Sequence, residues 1–117
     1  DNCWAMPGGW ADVGDVPSEV ASRECKEESG FDVKPVKVIG VFDANRVGGK
    51  LEFFHAFKII FLCELIGGEA TPSDETLDVQ FFDFNSLPPL SLNRTNEKHL
   101  NEIKLHLQNP NRQTFFD

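Results

Sequence analysis

Tyrosine is missing from this 117-residue chain, and its aromatic content rests on eleven Phe and two Trp. That skew points to a phenylalanine-filled core and by itself says nothing about ligands. No apolar run approaches the roughly 18 residues that a membrane-spanning helix needs, and no signal peptide opens the sequence. Lys and Arg never cluster and the formal charge is −8, so attraction to a nucleic-acid backbone or an anionic membrane has no basic patch to rest on. The surplus of carboxylates suits a protein that concentrates cations. Cys3, Cys25 and Cys63 are odd in number and far apart, with no C-x-x-C pair. They exclude a disulfide framework and point to reduced thiols in a cytoplasmic protein. Repeats and low-complexity segments are absent too, so residues 1–117 make one domain around one core.

What is present begins with punctuation. Pro7-Gly8-Gly9 breaks a short apolar scrap, Trp4 to Met6, and residues 9–14 read as loop. Pro17 suits a first helical position, where its missing N–H costs nothing. Nothing interrupts the chain until Gly30, a natural left-handed stop, so the pattern predicts a helix over about Pro17 to Ser29. Strands are expected over Val36 to Phe42, Phe53 to Leu65 and Val79 to Phe84, with turn chemistry from Asp43 to Lys50. Apolar residues on both faces of the second strand predict a strand covered from both sides, as in a layered α/β domain. Leu87-Pro88-Pro89-Leu90 reads as a rigid connector. Thr95 to Leu107 reads as an amphipathic helix with Leu100, Ile103 and Leu107 on its apolar stripe.

The first helix carries the chemistry. At about 100° per residue, Glu24, Glu27 and Glu28 fall within roughly one 100° sector. Val20 and Ala21 share that side, while Glu19, Ser22 and Lys26 lie opposite. The three carboxylates therefore extend the stripe expected to face the protein, the reverse of ordinary amphipathic design. Like charges brought together repel by only a few tenths of a kcal/mol when exposed. Partial burial raises this to roughly 4 kcal/mol for charges about 4 Å apart. Arg23 can pair with Glu19 or Glu27, but one guanidinium does not neutralise three carboxylates. A divalent cation does, and an oxygen-only ligand set favours Mg²⁺ or Mn²⁺.

Counted from Gly9, the sequence runs five residues to Asp15, seven more to Arg23, then Glu24-Cys25-Lys26-Glu27-Glu28-Ser29-Gly30-Phe31. This resembles the Nudix box, G-x5-E-x7-R-E-U-x-E-E-x-G-U with U apolar, departing at one fixed position where Asp15 stands for Glu. The resemblance implies an α/β/α sandwich around a mixed β-sheet and hydrolysis of a nucleoside diphosphate linked to a further moiety, X. It implies that Glu24, Glu27 and Glu28 bind the metal with help from the Gly8 carbonyl, and that Arg23 orients the glutamates. Metal then neutralises the pyrophosphate and activates water. Asp15 sits at a position that is chiefly structural in the family, and its charge suits the positive end of the helix dipole. A later loop often supplies a further carboxylate as metal ligand or general base, and Glu75 occupies that place.

Residues 9–14, Leu87 to Ser91 and Phe115-Phe116-Asp117 resemble one subgroup, the nucleoside-diphosphate-X pyrophosphatases of ADP-ribose or CDP-choline type. The resemblance implies nucleoside monophosphate and phosphorylated X as products and a homodimer, while the acidic charge argues against a membrane or nucleic-acid partner. Members carry a small helical N-terminal domain and an opening strand ahead of the segment matching Cys3-Trp4. With Asp1 where an initiator Met would stand, truncation and a sheet lacking its first strand are expected. Arg46 and Trp10 are the candidate substrate contacts, for phosphate or ribose and for a base. Lys58 is a weaker one. His55, His99 and His106 show no shared ligand spacing and are expected to be structural, as is Cys25. Two other functions fit the pattern: a non-catalytic nucleotide sensor and an RNA-end pyrophosphohydrolase.

Overall fold

A computed structural model of the chain describes residues 3–44 and 56–117. In chain order its elements are α1 (Pro17–Ser29), β1 (Phe31–Asp43), β2 (Phe57–Gly68), α2 (Glu97–Gln108) and β3 (Phe115–Phe116). The α1 boundaries are those that Pro17 and Gly30 predict. Val16 precedes the helix in an extended conformation without a side-chain cap, and Glu19 complements the dipole in the first turn. Gly30 closes it at φ 83°, its N–H donating to the Lys26 carbonyl at 2.9 Å.

The strands lie in the order β2-β1-β3. The Ala44 N–H donates to the Ala56 carbonyl at 3.0 Å, and at the opposite ends of the same two strands Gly30 meets Gly68. β1 and β2 are therefore antiparallel. β3 pairs with β1 in parallel, Gly40 opposite Phe115 and Val41 opposite Phe116. The result is the expected α/β fold with a mixed sheet and two helices.

The chain divides into two compact units, both of which take in part of β1 and part of β2. One unit comprises residues 6–37 and 61–88 and holds α1, the loop before it and the loop after β2. Val20 is its buried apolar anchor, and Phe31 packs against Phe81 with ring centroids 5.4 Å apart. The other unit holds α2, β3 and the Trp4 segment, which bridges in parallel to Leu90. Its core is Ile39, Phe42 and Ile60, with Phe42 stacked on Phe115 at 5.1 Å.

Four expectations need correction. β1 begins at Phe31, five residues before the predicted start. β2 runs on to Gly68, and Phe57, Ile59 and Leu65 on one of its faces are exposed, so it is not covered along both sides. The first predicted residues of that strand, together with Arg46 and His55, lie outside the described residues. Val79 to Phe84 is not a strand. Aspartates capture its main chain: Asp78 Oδ1 accepts the Val79 N–H at 2.8 Å and Asp83 Oδ1 accepts the Asn85 N–H at 2.9 Å. Such local bonds compete with a sheet ladder.

The fourth correction concerns α2. The helix starts at Glu97 because Asn96 caps it, and its buried face is His99, Glu102 and His106. The predicted stripe of Leu100, Ile103 and Leu107 stays half-buried or exposed. Glu102 is held on this buried face by its partners. Glu102 takes two bonds from Arg112, at 2.7 and 3.4 Å, and lies 3.4 Å from His106.

Candidate active site

Everything in the predicted motif lies within the unit that holds α1. The loop before the helix has no regular structure, and at Gly9 it approaches the helix closely, whereas a Cβ at Gly8 would meet open space. The Gly8 N–H donates to both oxygens of Glu28, each at 3.2 Å. At Gly9 an added Cβ would lie 2.5 Å from the Glu24 carboxyl carbon, closer than any real side chain permits. A side chain at position 9 would therefore require the Glu24 carboxylate to shift. Residues 24 and 28 are one helical turn apart, so both carboxylates converge on the same two-residue stretch of loop.

A tight turn sets the angle of that loop. The Asp15 N–H donates to the Asp12 carbonyl at 3.0 Å, and Asp15 Oδ2 accepts the Asp12 N–H at 2.9 Å. The same oxygen accepts from Arg23 at 3.2 Å, and Arg23 also stands 3.9 Å from Glu24. The Asp12 amide and then Arg23 hold the Asp15 carboxyl below its ordinary range, and Asp15 raises Arg23 in turn. Arg23 thus pairs with Asp15 and Glu24, rather than with the Glu19 or Glu27 its spacing permitted. Asp15 spends its charge on the turn and on Arg23.

Glu27 is exposed and points elsewhere. With Lys26, Gly30, Gly68, Glu69 and the loop to Ser73 it lines a cleft of about 620 Å³. Two left-handed glycines, Gly30 at φ 83° and Gly68 at φ 78°, cross there, each too close to neighbouring main chain to carry a side chain. The Thr71 N–H donates to the Ser29 carbonyl at 2.8 Å and fastens the loop to the end of α1. Sequence reasoning missed this crossing; Gly67-Gly68 read only as a strand end. Glu75 is exposed on the next turn, which the reciprocal main-chain bonds of Ser73 and Thr76 close at 3.2 Å. Its N–H donates to Ser73 Oγ at 3.3 Å, and it is not among the cleft-lining residues. Trp10, next to Gly9, is 69% exposed.

Among the described residues no three His, Cys, Asp or Glu side chains meet in a group able to hold a metal ion. Two of the three predicted carboxylates converge and the third faces the adjoining cleft. Lys58 donates to the Arg94 carbonyl.

The chain matches the NUDIX domain model over residues 1–103. It belongs to the NUDIX domain family. Its relatives include the YjhB protein of Bacillus subtilis, 33% identical over 117 residues, all of this chain and 56% of that protein. An ADP-ribose pyrophosphatase of Methanocaldococcus jannaschii is 36% identical over 92 residues, 76% of this chain and 51% of the other. The chain thus spans about half the length of these curated relatives. A crystal structure of a UDP-X diphosphatase superposes with TM-score 0.86 at 32% identity, covering 100% of this chain and 56% of that one. An ADP-ribose pyrophosphatase from Streptococcus suis gives TM-score 0.86 at 32% identity, covering 98% and 82%. NUDIX membership implies a divalent metal ion, and the donors at hand suit one. Glu24 and Glu28 offer hard oxygen ligands side by side, in a recess that a Cβ at position 9 would fill. Among the described residues no helix is long and apolar enough to cross a membrane.

Proposed function

We propose that this NUDIX domain hydrolyses the pyrophosphate bond of a nucleoside diphosphate linked to X, releasing a nucleoside monophosphate and phosphorylated X. The observation that carries the reading is the convergence of Glu24 and Glu28 on the Gly8-Gly9 loop. Mg²⁺ or Mn²⁺ would be held by Glu24 and Glu28 with the Gly8 carbonyl as a further ligand, and Glu27, which lines the adjoining cleft, would have to turn toward them to join the set. Bound there, the metal supplies positive charge against the pyrophosphate and lowers the pKa of water. Arg23, anchored by Asp15, is a positioning residue that holds Glu24 toward the loop. Glu75 is the further carboxylate, serving as metal ligand or as acceptor of the proton that the attacking water loses. Trp10 offers an exposed ring for a base to stack on, and Arg46 is the proposed phosphate or ribose contact. ADP-ribose is the leading substrate, supported by the names of two relatives, with CDP-choline behind it. Three free thiols suit a cytoplasmic protein, and a homodimer is the proposed assembly.

An RNA-end activity has some support in NudC of Pseudomonas aeruginosa, an NAD-capped RNA hydrolase that is 31% identical over 98 residues. That match takes in 83% of this chain and 33% of NudC. The deciding assay offers ADP-ribose, UDP-sugars, CDP-choline and NAD-capped RNA with Mg²⁺, with Mn²⁺ and with EDTA. Monophosphate release from the small substrates that EDTA abolishes is expected. Release from capped RNA alone would transfer the assignment to RNA ends. No turnover of any compound, with nucleotide binding retained, would make the domain a sensor.

A further inference from the structure

At position 99 a histidine fills the place that Glu or Gln takes in the usual helix capping box. The His99 N–H donates to the Asn96 side-chain oxygen at 3.1 Å, and His99 Nδ1 accepts the Asn96 N–H at 3.3 Å. A ring nitrogen accepts only while unprotonated, so the reciprocal bond requires the neutral imidazole with its proton on Nε2. The ring is 3% exposed and stands edge-on to Phe42, centroids 4.8 Å apart. Three charged groups act on it: Lys58 from β2, Lys98 from its own helix and Asp117 from the chain end. Lys98 is paired with Asp117 and reaches over the Phe42 and Phe115 rings. Two cations against one carboxylate leave little compensation for a further positive charge. Burial first, then Lys58 and Lys98, push His99 down to about 4, with Asp117 opposing.

We propose that His99 makes the α2 capping box an acid-sensitive latch, in which protonation of Nδ1 removes the acceptor for the Asn96 N–H, frees the first turn of α2 and loosens Phe42 from its neighbours. The folded value lies below the ordinary 6.5, so the unfolded chain binds the proton more readily between the two. The stabilisation is complete above about pH 6.5 and drains away as pH falls toward 4. His106 and Glu102 lie further along the same buried face and are common to the parent and the variant compared below. They serve as an internal control.

The test uses the full 117-residue chain and its His99→Gln variant, whose amide oxygen accepts the same bond and does not titrate. Hydrogen-exchange protection of the first α2 turn, corrected for intrinsic rates, should fall about tenfold or more between pH 7 and pH 5 in the parent. In the variant the fall should be about twofold at most. Equal losses in the two chains would overturn the proposal. So would a His99 ring that titrates by NMR near its ordinary value while α2 protection stays constant. That second measurement needs only the parent chain, so it decides the matter if His99→Gln fails to fold.

Discussion

The two helices are of similar length, yet they treat charge in opposite ways. α1 has no side-chain cap, buries Val20 and Ser29, and leaves Glu24 and Glu28 half-buried against a glycine loop. α2 has a complete capping box and buries His99, Glu102 and His106. On α2 the polar groups are answered by other protein groups, Arg112 for Glu102 and Asn96 for His99. On α1 the two carboxylates converge on one loop, Glu28 on the Gly8 N–H and Glu24 beside Gly9, with the Arg23 guanidinium 3.9 Å from Glu24. Buried polar groups that the chain itself satisfies serve the fold, whereas two carboxylates converging on one short loop bring hard oxygen ligands together for an external cation.

Three substitutions sharpen that contrast on the α1 side. Glu28→Gln should cost the most, since its amide oxygen still accepts the Gly8 N–H while the negative charge is gone. We expect kcat on ADP-ribose to fall about a hundredfold or more with the thermal midpoint barely changed. A variant of near-normal rate would mean that Glu28 only anchors the loop. Gly9→Ala comes next. Its methyl group meets the Glu24 carboxylate, and displacing a catalytic group by about 1 Å costs on the order of tenfold to a hundredfold. A raised metal requirement in titrations with Mg²⁺ should accompany the loss. An unaltered metal dependence would show that Glu24 has room to move.

Asp15→Asn should have the smallest effect, because the pair with Arg23 is exposed and salt-screened. A few-fold drop in rate and a slight loss of stability at neutral pH are expected. Its sign with pH is fixed: the Asp15 carboxyl is held below 3.8 in the folded chain. Its contribution is present above that value and disappears as pH falls through the folded value. Parent and variant should therefore converge in stability in strong acid. The His99 latch weakens in the window just above, between about pH 6.5 and pH 4.

How much of this was legible from residues alone depended on whether local punctuation or distant partners decided the outcome. Pro17 and Gly30 fix both ends of α1 through main-chain constraints, and the pattern read them correctly. The motif spacing brought out Glu24 and Glu28, although their contact with a loop some twenty residues earlier is tertiary. Glu27 shares their helical sector but not their surroundings, because the loop after β2 takes up its side of the helix end. Apolar periodicity misjudged α2, since Leu100, Ile103 and Leu107 outweighed polar residues whose partners, such as Arg112, lie beyond the helix. It misjudged Val79 to Phe84 as well, because hydropathy does not register the bonds Asp78 and Asp83 make to their own main chain.

The crossing of Gly30 and Gly68 leads further than local geometry. The Thr71–Ser29 tie runs from main chain to main chain, so the position of the loop that follows is written in the backbone rather than in side-chain identity. Side chains over residues 69–72 can then differ with little penalty in loop placement, while neither glycine can change. The cleft rim becomes an exchangeable part on a fixed mount, free to differ in shape while the end of α1 beneath it stays where it is.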